Sequence, residues 1–177
     1  MDVNLLPTSA LIDTNVFLRA MGDRPNDAVS PDCKAFVEAM LTARRDVLLA
    51  APTVAEVLRF KRGTQLPVMD RFVVVPFDDD AARLLGTAFP EDVLLGWAKK
   101  TNNPLHYYKY DAMIVACAER WNVRCVVALD QGLRELASER NIRVETPTAF
   151  RHRQGSLALV PQPPSQTPAP GTGSSKG

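Results

Sequence analysis

Short apolar runs of β-type residues alternate with stretches of helical periodicity along most of this chain, and few folds accommodate that order. SALI (9–12), DVLLA (46–50), RFVVVP (71–76), RCVVAL (124–129) and IRVE (142–145) have the composition of strands. Between them, helices are predicted over 30–45, 52–61, from 78 onward, and over 90–100, 112–121 and 132–140. In the first of these, Phe36, Val37, Met40 and Leu41 recur at the spacing that lines one helical face. A helix between two strands returns the chain to the end from which it started, so such strands pair in parallel and their helices cover both faces of the sheet. The expected fold class is therefore α/β, with a mainly parallel central sheet.

A chain of 177 residues suffices for one full core without requiring a second. From Pro161 the composition changes to PQPPSQTPAPGTGSSKG, with a single charge and nothing apolar larger than alanine. Such a segment cannot offset its ordering entropy, so 161–177 is predicted to be a disordered tail joined through 151–160 to a folded body over 1–150. Lys plus Arg number 21 and Asp plus Glu 20, so any basic surface for nucleic acid must be local. Cys33, Cys117 and Cys125 form neither a CxxC nor a Cys/His spacing, and are expected to be reduced, partly buried thiols. The start MDVNLLPTSA lacks a basic region before a long apolar stretch, and no apolar run approaches membrane-spanning length. A cytoplasmic protein without membrane contact is expected.

The segment ALIDTNVFLRA (10–20) interrupts a buried-strand pattern with Asp13, Thr14 and Asn15. In parallel α/β sheets, ligands collect beyond the carboxyl ends of the strands. Asp13 follows the first strand, Glu56 lies early in the helix after the second, Asp111 stands just before the helix 112–121, and Asp130 follows the strand RCVVAL. Each acid also has a local explanation. Asp13, Asp111 and Asp130 can cap the helices they precede, at about 1 kcal/mol each, and Thr53 with Glu56 fits a capping box. The run Asp78-Asp79-Asp80 serves as a comparison: it precedes a helix and is expected to be plain capping on a solvated face.

Capping does not require four acids on one edge. Two carboxylates about 5 Å apart repel by roughly 3 kcal/mol at an effective dielectric near 20, so four together shift their pKa values or destabilise the fold unless a cation intervenes. Oxygen donors without His or Cys suit Mg²⁺ or Mn²⁺. A metal in such a setting activates water and stabilises charge on a phosphodiester. The acids at 13, 56, 111 and 130 thus point to metal-assisted phosphodiester hydrolysis.

IDTN (12–15), TVAEVL (53–58), YDAMIVACA (110–118) and VVALDQGL (126–133) together resemble the PIN-domain ribonucleases, with the VapC-type toxins of toxin–antitoxin pairs as the nearest subgroup. The resemblance covers residues 8–150. It implies a three-layer α/β/α sandwich and an acidic pocket for Mg²⁺ or Mn²⁺, with Asp13, Glu56, Asp111 and Asp130 as both metal-binding and catalytic residues. Thr14 or Asn15 would orient Asp13, although a local Asx- or hydroxyl-type turn explains both equally well. The activity implied is an endoribonuclease leaving 5′-phosphate and 3′-hydroxyl ends. Implied partners are RNA, a cognate antitoxin and a second copy in a homodimer. Two departures stand out: the Pro-rich tail is an addition, and Leu129 occupies a place where such proteins often carry Ser or Thr.

Arg59, Lys61 and Arg62, Lys99 and Lys100, and the run His106-Tyr107-Tyr108-Lys109-Tyr110 fall near the expected rim. Basic groups beside aromatics can hold phosphates and stack unpaired bases, with Arg59, Lys61, Arg62 and Lys109 as candidate substrate contacts. Solvated helix ends and loop packing account for each residue taken singly. His106 and His152 are expected to be surface or packing residues. Three other classes fit the sequence less well. A haloacid-dehalogenase-type phosphatase normally has an acid where Asn15 stands, and a nucleotide-binding module would need GxxxxGK[ST] or GxGxxG, neither of which occurs. A non-catalytic PIN-like module for RNA or protein binding would have no reason to tolerate four clustered acids. A processing nuclease outside any toxin pair is the remaining enzymatic alternative.

Overall fold

The computed structural model describes residues 1–23, 26–60, 66 and 70–151. The predicted tail, His152, Lys61 and Arg62 lie outside the described residues. Five strands, β1 (Ser9–Ile12), β2 (Asp46–Ala50), β3 (Phe72–Val75), β4 (Cys125–Val127) and β5 (Arg143–Glu145), form one sheet in the order β3-β2-β1-β4-β5. Every pairing is parallel. The helices are α1 (Thr14–Ala20), α2 (Ser30–Thr42), α3 (Ala51–Phe60), α4 (Asp79–Ala88), α5 (Glu91–Thr101), α6 (Leu105–Arg120) and α7 (Gln131–Glu139).

Alternation along the strands divides the core into two. Ala10, Ile12, Val47, Leu49, Cys125 and Val127 face a cluster with Phe17 of α1 and Phe36 and Met40 of α2, closed by Phe150. Leu11, Ala50, Val75 and Val126 face the opposite way, against Leu94 of α5, Ile114 and Val115 of α6, and Leu133 and Leu136 of α7. Period-two side chains sandwiched between helices on both faces make the expected α/β/α architecture. All three cysteines are free and buried, and burial raises their thiols to about 11 for Cys33 and Cys125 and about 12 for Cys117. Thiols so disposed are poor nucleophiles. Among the described residues, no helix is long and apolar enough to cross a membrane.

The strand order positions the site. From β1 the chain adds β2 and β3 on one side, and later β4 and β5 on the other. The reversal between β1 and β4 opens a crevice beyond their carboxyl ends, where flanking connections diverge to opposite faces. The backbone N–H of Asp13 still bonds the carbonyl of Val127 at 3.0 Å, so the ladder runs up to the acid itself.

Three sequence expectations need correction. The helix predicted over 112–121 begins at Leu105, behind Pro104, so Asp111 lies inside α6 and caps nothing. Residues 105–110 extend α6 by about 9 Å ahead of Asp111, and of them Tyr108 is buried in the core with Leu105 packed against it; the exposed His106, Tyr107 and Lys109 around them obscure the helical periodicity. The helix expected from Pro52 starts directly at Ala51 after β2, which removes Thr53 from the cap position and moves Glu56 beyond the first turn. Thr53 is instead fully buried, with its hydroxyl unbonded. The strands 71–76, 124–129 and 142–145 are each shorter than expected, at 72–75, 125–127 and 143–145. Asp78 behaves as the comparison case should: it accepts the N–H of Ala81 at 2.9 Å and pairs with Arg120 at 3.1 Å, and both interactions hold its carboxyl below the ordinary range.

Candidate active site

A cavity of about 580 Å³ opens at the carboxyl edge of the sheet, and Asp13, Glu56, Asp111 and Asp130 all line it. That volume lies in the range of small-ligand sites. The four acids come from four elements: the β1–α1 junction, α3, α6 and the N-terminus of α7.

Asp13 is the most deeply set, at 4 % exposure. As the N-cap of α1 it accepts the N–H of Asn15 at 3.4 Å. Burial is the main force raising its carboxyl to about 6; the backbone donors at Thr14 and Asn15 oppose this, and the charges of Glu56 and Asp130 add to it. Asp130 caps α7 through Oδ1, which accepts the N–H of Leu133 at 3.1 Å. Helix N-termini thus steady two of the acids from beneath, through N–H groups that have no partner within their helices. Glu56 is held by Thr14, whose hydroxyl donates to Oε2 at 2.5 Å across 42 positions of chain.

Among the described residues Asp111 has no such donor. Burial, followed by the charges of Asp130, Asp13 and Glu56, raises its carboxyl to about 8. A carboxylic acid that burial keeps largely protonated at neutral pH, with three other acids adding to the cost of its charge, marks a place where positive charge is wanted.

Support for Asp13 divides differently from expectation. The Thr14 hydroxyl serves Glu56, and the Asn15 side chain turns away to accept from Arg19 at 3.3 Å, leaving only its backbone N–H for Asp13. Replacing Thr14 by Val keeps the shape of this 5 % exposed side chain but frees Glu56. Loss of such a supporting bond typically costs 10- to 100-fold in activity or metal affinity. On the nuclease activity that the sequence resemblance implies, Mn²⁺-dependent RNA cleavage by Thr14→Val would fall about tenfold, with Thr14→Ser near wild type; equal rates for all three would remove Thr14 from the site.

Gly132 is a site residue that sequence reasoning missed. A Cβ there would stand 3.0 Å from Asp130 Oδ1, 3.1 Å from Tyr108 Cε1 and 3.3 Å from Asp111 Oδ2. The bare α-carbon therefore lets both carboxylates crowd one face of α7. The available signal was a glycine in the first turn of a helix, next to a capping acid, where almost any other residue favours helix more. On the same implied activity, Gly132→Ala would lower Mn²⁺-dependent cleavage at least about tenfold while changing the melting temperature little, because gained helix propensity of about 1 kcal/mol offsets the crowding. Full activity in Gly132→Ala would show that the carboxylates need no such gap.

Of the candidate substrate contacts, Arg59 lines the cavity, whereas Lys109 is drawn to Glu91 at 3.6 Å and does not. Phe60, Asn103, His106, Tyr107 and Tyr110 also line the cavity, as do Leu18 and a fifth acid, Asp23, that sequence reasoning missed.

Among the described residues, no three Asp, Glu, His or Cys side chains are already gathered closely enough to enclose an ion. The four acids line a shared wall, and closing on a cation would require their side chains to rotate inward. The donors nonetheless fit a hard divalent ion: all are carboxylate oxygens, and the upward shifts of Asp13 and Asp111 are those a cation reverses. A family model described as PIN domain matches residues 10–139 of the chain. No curated protein matches it.

Proposed function

This chain belongs to the PIN-domain family, and on that premise we propose that it is a divalent-cation-dependent endoribonuclease. PIN domains are generally nucleases, bind RNA and use metals such as Mg²⁺. The observation that carries the proposal is the meeting of four acids from distant segments in one cavity, where burial, reinforced by the other three, leaves Asp111 protonated near neutrality.

Asp13, Glu56, Asp111 and Asp130 would hold Mg²⁺ or Mn²⁺. The ion, when bound, supplies Lewis acidity that lowers the pKa of water and offsets charge on the phosphodiester. The protein's own groups prepare that chemistry. Asp13 is oriented by the α1 N-terminus and Glu56 by Thr14, so both carboxylates are held at the cavity before an ion arrives. Asp130 uses Oδ1 for its cap, which leaves Oδ2 available to accept a proton from the attacking water. Arg59, with no described carboxylate as an ion-pair partner, can take a phosphate oxygen at the mouth. Attack of water on phosphorus with departure of the 3′-oxygen leaves a 5′-phosphate and a 3′-hydroxyl.

The setting proposed with this activity is that of a cytoplasmic toxin restrained by a cognate antitoxin and acting as a homodimer. It follows from the VapC-like run of the four motifs. The folded unit would be 1–150. Purified protein incubated with total RNA, with and without Mn²⁺ and beside Asp111→Ala, tests the activity. Cleavage confined to the wild-type lane with Mn²⁺ supports it; identical patterns in every lane leave a non-catalytic RNA- or protein-binding module.

A further inference from the structure

Two separate segments enter the sheet in the same way. NVR (122–124) precedes β4, and NIR (141–143) runs into β5. In each the asparagine adopts the left-handed conformation, with φ of 50° at Asn122 and 55° at Asn141. Asparagine visits that region more readily than most residues. Paired N–H bonds then turn the chain out of the preceding helix. Asn122 and Val123 donate to the carbonyls of Glu119 and Ala118 at 3.1 and 2.8 Å, and Asn141 and Ile142 to those of Ser138 and Ala137 at 3.1 and 3.0 Å. Val123 and Ile142 pack against the core, and the arginine that follows is exposed in both segments. The strands β4 and β5 pair in parallel with Cys125 opposite Arg143. The repeated turn therefore delivers Arg124 and Arg143 to the amino edge of neighbouring strands, which lie about 4.8 Å apart.

A second cavity, of about 310 Å³, lies at that edge, at the end of the sheet opposite the four acids. Thr8, Ser9, Asn122, Arg124 and Arg143 supply its polar lining, and no described lining residue is acidic. Arg143 gives Nε to Glu145 at 2.9 Å, which steadies the guanidinium and leaves both terminal nitrogens without a described partner. Among the described residues, the side chains of Thr8, Ser9, Asn122 and Arg124 have no hydrogen-bond or ion-pair partner. Asp46, opposite Ser9 in the ladder, is already taken by Arg71 at 3.0 Å. Two guanidiniums, two hydroxyls and an amide thus share one concave surface with no acceptor among them. Guanidinium forks match the oxygens of a phosphate in pairs. A phosphomonoester brings a charge of about −1.5 to −2 and three acceptor oxygens at neutral pH, whereas an internal phosphodiester brings a single charge and two unbridged oxygens. The donor set here suits the former.

We propose that this cleft is a second ligand site that binds a terminal phosphate group, carried by a free small molecule or by the end of an RNA strand. Arg124 and Arg143 form the ion pairs, and Thr8, Ser9 and Asn122 donate to the remaining oxygens. The site stands apart from the acidic cavity and holds whether or not that cavity cuts RNA.

Isothermal titration calorimetry of the full chain tests this with inorganic phosphate, adenosine 5′-monophosphate, adenosine, and a short oligoribonucleotide carrying a 5′-phosphate or a 5′-hydroxyl. EDTA is present throughout, so that the acidic cavity holds no cation to draw a phosphate. Inorganic phosphate and the monophosphate are expected to bind saturably at one site, and adenosine not at all. Arg124→Ala and Arg143→Ala should each weaken monophosphate binding about tenfold or more. Arg124→Lys, which keeps the charge and loses the fork, should recover only part of that loss. Both arginines are exposed, so the variants should melt within about 2 °C of wild type. Arg59→Ala, altered at the acidic cavity, should bind the monophosphate as wild type does. The oligonucleotide separates the two carriers. A phosphorylated strand that binds more tightly than the monophosphate assigns the group to an RNA end; equal or weaker binding assigns it to a free small molecule. Three results would overturn the site: no saturable binding of phosphate or monophosphate up to about 10 mM, arginine variants that bind like wild type, or a 5′-hydroxyl strand that binds as tightly as the phosphorylated one.

Discussion

Asp111→Asn is expected to lower the rate of Mn²⁺-dependent RNA cleavage by at least about 10²-fold, the equivalent of roughly 3 kcal/mol of lost transition-state stabilisation. The change is nearly isosteric and sits on the wall of α6, where Asp111 has no hydrogen-bond donor to lose and caps no helix. Its effect is therefore confined to charge. A parallel Asp92→Asn variant, altering an exposed acid in the first turn of α5, should keep wild-type rates. Product ends identify the chemistry: 5′-phosphate and 3′-hydroxyl termini that appear with Mn²⁺ and vanish in Asp111→Asn. Cleavage by Asp111→Asn at the wild-type rate would remove this residue from the reaction and, with it, the cation site proposed among the four acids.

The same substitution should stabilise the protein in the absence of divalent ions. An aspartate in an unfolded chain titrates near 3.9, whereas Asp111 in the folded protein titrates at about 8 and Asp13 at about 6. Between those limits the folded state binds more protons than the unfolded state, so stability falls as pH rises. The favourable contribution is complete below pH about 4, fades through pH 6 as Asp13 ionises, and is lost through pH 8 as Asp111 does. An asparagine at 111 mimics the protonated acid at every pH. In EDTA the two proteins should melt together near pH 4. At pH 8.5, Asp111→Asn should melt higher by roughly 5 °C, for a gain on the order of 2 kcal/mol. Mn²⁺ at about a hundredfold excess over its dissociation constant should add nearly 3 kcal/mol to the wild type and little to the variant, closing the gap. Scanning calorimetry across pH, with and without Mn²⁺, measures all of this. Identical melting of both proteins at every pH would mean that the acids do not crowd Asp111.

Opposite shifts of activity and metal-free stability at one position would distinguish a functional carboxylate from a structural cap. The contrast with Asp78 makes the point physically. There an N–H of α4 and the guanidinium of Arg120 hold the carboxylate ionised, and the lowered pKa marks an acid that stabilises the fold.

Local chemistry made much of this protein legible in advance. Runs such as ALI and DVLLA mark their own strands, because apolar β-type residues suit little else between helical stretches, and the parallel α/β/α architecture follows from their alternation. Asp13 and Asp130 were legible for the same reason: each stands at the end of a strand and caps the helix that follows. Where the pattern had no local cause it misled. The aromatic and basic residues at 106–110 look like a loop because Tyr108 alone among them is buried in the core, so the apolar pattern places the start of α6 after Asp111. Thr53 and Glu56 fit a capping box that does not exist, since α3 starts directly from β2.

The amino-acid order by itself determined the elements, the faces they bury and the strand ends at which acids collect, because periodicity and capping act within a few residues. Only the tertiary structure decided that β1 lies beside β4, which opens the crevice between Asp13 and Asp130. It alone gave Thr14 to Glu56, spared Lys109 for Glu91, and required a bare α-carbon at Gly132 between two carboxylates. These are contacts between segments far apart in the chain, set by how whole layers pack, and no local pattern encodes them.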